Sequence, residues 1–225
     1  LHLEIGEEKL RAEIQKTLAP IEAERHYIRT IVTRGVDAEI DIAYSKNCAS
    51  SVIVIARAFH SIPPAAIEKG VVIRSVSIKR NPISSLNPMI KSGNYLNNIL
   101  AKSEARKKGA YDALLLNQEN YIAELSTSNI FWIKDREVFT SSLECGILDG
   151  VIRNYVINLC KELGIPVIEG KFPLDHLLSA DEAFITSTLK DILPICQVDD
   201  AKYNRADPAS LLHTLAKAFH QRIYS

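Results

Sequence analysis

Lys91-Ser92-Gly93-Asn94-Tyr95-Leu96-Asn97-Asn98 is the stretch on which the reading of this chain turns. Just before it, Arg80-Asn81-Pro82-Ile83-Ser84-Ser85-Leu86-Asn87-Pro88-Met89 is dense in turn formers, and each proline restricts its neighbour as well as itself. An interdomain connection is therefore expected at 81–90. After it, Leu96, Ile99, Leu100, Ser103 and Lys107 recur at helical spacing, so a helix is expected from Tyr95 to Lys108, stopped by Gly109. Lys91 would then project from the start of a helix, at a domain boundary where clefts commonly form.

On the N-terminal side, Leu10, Ile14 and Leu18 mark an amphipathic helix from Glu7 to Ala19, ending before Pro20. Tyr27–Gly35, Ser51–Ala58 and Val71–Val76 are β-branched and read as strands. A helix followed by strands suits an α+β domain over residues 1–80. On the C-terminal side, Asp112–Asn117 and Tyr121–Glu124 read as one hairpin. Asn129–Lys134 and Glu137–Thr140, joined at Asp135-Arg136, read as a second. Glu182–Ile185 is a further strand. Helices are expected from Val151 to Leu163 and from Pro208 to Arg222.

The chain has 225 residues, is 47% hydrophobic, and balances 27 Lys plus Arg against 27 Asp plus Glu. No run approaches the ~20 apolar residues of a membrane span, and no basic footprint suggests nucleic acid. Small-molecule chemistry is the better expectation. Cys48, Cys145, Cys160 and Cys196 show no metal-ligand spacing with each other or with histidine, as suits reduced thiols in a cytosolic protein. The opening Leu1-His2-Leu3-Glu4-Ile5-Gly6 has no basic segment followed by an apolar one, so it does not read as a secretory start.

Two other segments carry chemistry beside Lys91. Glu124 ends a strand and is followed by Leu125-Ser126-Thr127-Ser128-Asn129. It could be a buried carboxylate or a turn residue, and the three hydroxyls could face a ligand or satisfy a tight turn. Gly146-Ile147-Leu148-Asp149-Gly150 leads into Val151-Ile152-Arg153, where the free amides and positive dipole of a helix start can hold a phosphate. Lys91 would serve as a nucleophile only with a neutral amine, and otherwise is a solvated lysine. Tyr27 and Arg29, at i and i+2, share one strand face.

Together the three segments resemble the class IV, fold type IV, aminotransferase family, which uses pyridoxal phosphate. The resemblance runs from Glu7 to Tyr224. It implies a two-domain α+β and α/β fold, with a small domain over 1–80 whose N-terminal part is missing and a cofactor-binding domain over 91–225. It makes Lys91 the Schiff-base lysine and sets Tyr95 near the cofactor's phenolic oxygen. Glu124 becomes the carboxylate at the pyridine nitrogen, followed by Thr127, Ser128 and Asn129. Leu148 packs on the ring. The phosphate falls to Gly150, Val151 and Ile152 on one side and to Ser187 and Thr188 on the other. Tyr27, Arg29 and Leu189 would meet the substrate, with Arg29 holding a carboxylate, and the loop from Val36 to Asn47 would help shape the pocket. The family's phosphate-binding arginine would lie before Leu1. No metal is implied, and a cytoplasmic homodimer is.

The implied activity is transfer of an amino group between a branched-chain or D-amino acid and a 2-oxo acid. The alternative within the family is 4-amino-4-deoxychorismate lyase, which releases pyruvate and 4-aminobenzoate for folate synthesis. Leu125 stands where the family has glycine, Ile152 where it often has threonine, and Leu189 where aminotransferases have a small or hydroxylated residue. The last two departures lean toward the lyase. All three allow a third reading, a family member that binds without catalysing.

Overall fold

The computed structural model describes residues 6–36, 50–203 and 209–224. It divides into two compact units, Leu1–Ser61 and Ile62–Ser225. In the first, helix α1 (Glu7–Leu18) is followed by strands β1 (His26–Thr33) and β2 (Ser51–Ala58), which pair antiparallel with Tyr27 opposite Arg57 and Arg29 opposite Ile55. Directly opposed residues share a face. One sheet face therefore carries Tyr27, Arg29, Ile53, Ile55 and Arg57, and the Arg57 guanidinium lies 4.7 Å from the centre of the Tyr27 ring. β1 stops short of Gly35, whose φ of 91° leaves the strand region. Apart from Val36, the loop through Asn47 lies outside the described residues, as does Cys48.

The second unit contains α2 (Pro64–Lys69), β3 (Val71–Ser75), α3 (Leu96–Lys107), β4 (Asp112–Leu116), β5 (Ile122–Leu125), β6 (Asn129–Lys134) and β7 (Glu137–Ser141). It continues through α4 (Val151–Glu162), β8 (Val167–Gly170), α5 (Leu174–Leu178), β9 (Glu182–Ser187), β10 (Asp191–Val198), β11 (Ala201–Lys202) and α6 (Leu211–Tyr224). Its sheet has nine strands in the order β5-β4-β3-β10-β9-β6-β7-β8, with β11 on β10. The ends of this order approach each other, because the Ile122 carbonyl accepts from Ser141 Oγ at 2.8 Å and the Ile122 amide donates to Phe172 O at 2.8 Å. The sheet is curled.

The domain boundary differs from the expected one at 81–90. β3, assigned by sequence to the small domain, pairs in parallel with both β10 and β4 and so lies within the larger sheet. A strand needs a partner of compatible register, and β3 finds its partners in residues more than a hundred positions away as well as nearby. The turn-rich stretch before Lys91 is a strap inside the second unit.

Both faces of this sheet are covered. On β6, Ile130 and Trp132 join an inner core with Ile185, Leu193 and Ile195, while Phe131 and Ile133 turn to α4 and α6, where Val156, Leu159, Leu215 and Phe219 meet them. Phe131 and Phe184 stack with ring centres 5.0 Å apart. Such two-sided burial explains why β4, β6 and β9 read as apolar runs rather than as alternating strands. The β6–β7 turn is made by Asp135 and Arg136, with φ of 51° and 63°, the pair of left-handed residues a two-residue hairpin requires.

Candidate active site

A cavity of about 350 Å³ opens in the second unit, a size suited to a cofactor or a small substrate. Its wall comes from four places in the chain. These are the strap and loop from Arg80 to Tyr95, the β5–β6 connection, the Leu148–Arg153 segment that starts α4, and the end of β9. Of the residues singled out by sequence, Lys91, Tyr95, Glu124, Thr127, Ser128, Asn129, Leu148, Gly150, Val151, Ile152, Ser187 and Thr188 all line it. Leu189 is exposed and follows the last of them without being part of the wall. Tyr27 and Arg29 belong to the first unit.

α3 begins at Leu96, so Lys91 stands in the loop before the helix rather than in its first turn. Its Nζ lies 2.8 Å from Tyr95 Oη, which fixes the amine against the phenol.

Glu124, the penultimate residue of β5, is almost fully buried. Burial pushes its carboxyl up to about 7, and the Arg80 guanidinium, the Leu148 amide, Lys91 and Arg153 act in the opposite direction. Arg80 Nη2 is 2.9 Å from Glu124 Oε1; Leu148 N and Asn129 Nδ2 donate to Oε2 at 3.1 and 3.3 Å. Arg80 is itself anchored, with Nε donating to Gly146 O at 2.9 Å and Nη1 to Asn98 Oδ1 at 3.3 Å. Asn98 Nδ2 in turn donates to Ser126 O at 2.6 Å, tying α3 to the loop after Glu124. Arg80 is a site residue that sequence reading passed over. It falls at the last position of the expected small domain, 1–80, and no local pattern marks an arginine whose partner lies beyond a helix and a strand.

Asn129 links the second and third segments, since its Nδ2 also donates to Leu148 O at 2.9 Å. A Cβ on Gly150 would collide with Asn129 Oδ1. Glycine is thus required here by close approach, not by backbone angle. Gly150→Ala is expected to displace Asn129 and loosen Glu124 and Leu148 together. The cost is about 1–3 kcal/mol of stability by urea titration, with weaker cofactor retention. α4 is held from inside by Arg153, buried, whose Nη2 donates to Ser141 O at 2.9 Å and pairs with Glu169.

The donor set fits pyridoxal phosphate. A buried carboxylate raised by desolvation gains from a cationic pyridine nitrogen beside it. Thr186 Oγ1 and Arg153 Nε, on residues of the cavity wall, are buried without hydrogen-bond partners. Gly150 caps the N-terminus of α4 without a side chain, leaving the first amides of the helix open. Among the described residues no group of three or more His, Cys, Asp and Glu side chains could hold a metal ion.

The chain is 34% identical over 155 residues to the branched-chain-amino-acid aminotransferase of Pseudomonas aeruginosa, an alignment covering 68% of this chain and 50% of that protein. It is 38% identical over 129 residues to the aminodeoxychorismate lyase of Bacillus subtilis, covering 57% of this chain and 43% of that protein. The chain thus spans half or less of the length of these two relatives. Among solved structures, the branched-chain aminotransferase of Thermoproteus uzoniensis with norvaline superposes with a TM-score of 0.88 at 30% identity, over 98% of this chain and 72% of that one. The model of the family described as amino-transferase class IV matches residues 1–198, and with the fold this shows that the chain belongs to the class IV aminotransferase family.

Proposed function

We propose that this chain carries the catalytic centre of a pyridoxal-phosphate-dependent aminotransferase acting on a branched-chain or D-amino acid and a 2-oxo acid. The observation that carries the reading is one cavity holding Lys91 against Tyr95, the buried Glu124, and the open start of α4. When bound, pyridoxal phosphate supplies an electron sink that acidifies the Cα–H of an amino acid joined to it.

Lys91 would hold the cofactor, and its neutral amine would take the proton from the substrate's Cα and return it. Tyr95 would orient that amine. Glu124 would keep a proton on the pyridine nitrogen, and Leu148 would face the ring. The amides of Gly150, Val151 and Ile152, with Ser187 and Thr188, would hold the phosphate, and Thr127, Ser128 and Asn129 would close the wall beside it. Ile152 has no hydroxyl to offer, so its amide must serve. Tyr27, Arg29 and Leu189 are assigned to the substrate, Arg29 by pairing with its carboxylate, in a homodimeric protein.

A second reading, 4-amino-4-deoxychorismate lyase, is favoured by the apolar Ile152 and Leu189. The purified protein loaded with pyridoxal phosphate separates the two. Incubation with L- and D-amino acids and a 2-oxo acid is expected to form a new amino acid in step with loss of the donor. Release of pyruvate from 4-amino-4-deoxychorismate, with no exchange among amino acids, would replace the first reading by the second. Inertness to both would remove them together.

A further inference from the structure

Thr127 and Ser128, on the β5–β6 connection, face a lysine that no pattern in the sequence singles out. Lys190 Nζ lies 2.8 Å from Ser128 Oγ and 3.0 Å from Thr127 Oγ1. An ammonium group only donates, so both oxygens accept from it and each hydroxyl proton must point elsewhere. Among the described residues, neither hydroxyl donates to a protein acceptor. Thr186 adds a buried Oγ1 with no partner at all. Thr127, Ser128 and Thr186 all line the cavity. Ser128 and Thr186 are buried while Thr127 is exposed at the cavity mouth, and buried hydroxyls with unused donors are unfavourable unless a ligand accepts from them.

The charge behind these hydroxyls has the matching sign. Lys190 and Lys102 each approach Asp112 Oδ2 to 3.6 Å, and Ser126 Oγ donates to Asp112 Oδ1. Asp112 is fully buried, so two ammonium groups share one carboxylate and positive charge is left over. The arginines of the cavity differ, because Arg80 is paired with Glu124 and Arg153 with Glu169 and Asp149. Lys190 also bridges two wall segments, since it follows the end of β9 and reaches the loop before β6. An acceptor-only dianion is the ligand chemistry that uses three hydroxyl donors backed by this charge.

We infer that Lys190 is a positioning residue for the phosphate end of the bound ligand, turning the Thr127 and Ser128 protons toward it and, with Lys102, leaving positive charge behind them. This rests on the pyridoxal phosphate reading above. The test compares affinity for pyridoxal phosphate with affinity for pyridoxal, which lacks the phosphate, in the purified protein and in Lys190→Met, Lys190→Arg and Thr127→Val.

Lys190→Met is expected to weaken pyridoxal phosphate binding about tenfold while pyridoxal changes less than about twofold, and Lys190→Arg to recover most of the loss. Inorganic phosphate should compete correspondingly less well in the methionine variant. Thr127→Val, at an exposed position that leaves Asp112 and both lysines intact, should lower the same discrimination and decides the matter if the methionine variant does not fold. Equal losses for both ligands, or an unchanged ratio in either variant, would overturn the inference and leave Lys190 as a structural clamp. A parent protein that fixes no cofactor at Lys91 would instead remove the functional reading itself, and this inference with it.

Discussion

Lys91→Ala is expected to abolish covalent retention of pyridoxal phosphate. Borohydride reduction of the loaded parent protein should leave the cofactor on the peptide containing Lys91, and the alanine variant should leave it on none. Turnover should fall by at least the 10²–10⁴-fold that a positioned general base supplies, since the same amine also forms the covalent link. Lys91→Arg is expected to fail almost as badly. A guanidinium neither loses its proton at ordinary pH nor adds to an aldehyde, so it cannot replace the amine that Lys91 holds against the Tyr95 phenol. A small exogenous amine such as methylamine, added to Lys91→Ala, should restore part of the rate, because the missing function is a neutral amine rather than a shape. Full activity in Lys91→Ala would remove Lys91 from the catalytic role.

The environment of Lys91 shows what the sequence made legible. The segment around it, the glutamate near the end of β5 and the glycine before α4 are local patterns, each set by a few adjacent residues, and all three line one cavity. The hairpin at Asp135-Arg136 was legible for the same reason, as was α3 ending at Gly109, whose φ of 73° suits a residue past a helix end. What escaped detection depends on partners distant in sequence. β10 carries Pro194, which lacks an amide donor and counts against a central strand, yet Pro194 lies opposite Phe184 and the neighbouring register supports it. β8 is a four-residue edge strand, and short strands carry little periodicity. The Arg80–Glu124 and Lys190–Asp112 pairs are contacts between side chains on different strands and loops, which no local spacing encodes.

Arg80→Met is expected to be the most destabilising of the substitutions considered, and to be so in a pH-dependent way. Glu124 in the folded chain titrates at about 7 against an ordinary 4.5, because burial outweighs Arg80 and the other favourable partners. A carboxyl raised on folding binds its proton more tightly in the native state than in the unfolded one. Its contribution to stability is therefore fully present below about pH 4.5 and is lost as pH rises through about 7, a swing of roughly 3 kcal/mol. Glu124→Gln, compared with the parent by urea titration from pH 4.5 to 8, should remove that part of the pH dependence.

Removing Arg80 takes away the largest of the effects that lower the Glu124 carboxyl, so the window of lost stability extends above pH 7. It also strips Gly146 O and Asn98 Oδ1 of their donor. At pH 8 the loss should reach about 3–5 kcal/mol, the cost of leaving a buried charge without its partner, and it should be distinctly smaller at pH 5, where Glu124 can protonate. The double variant Arg80→Met/Glu124→Gln should recover part of the loss at pH 8 and little at pH 5. That difference isolates the ion pair from the lost packing of the arginine. Equal losses at both pH values would mean that Arg80 acts through its hydrogen bonds to the strap and α3 alone. Pyridoxal phosphate should narrow the gap, because a protonated pyridine nitrogen offers Glu124 a second cation in a cavity where Arg80 is otherwise the nearest.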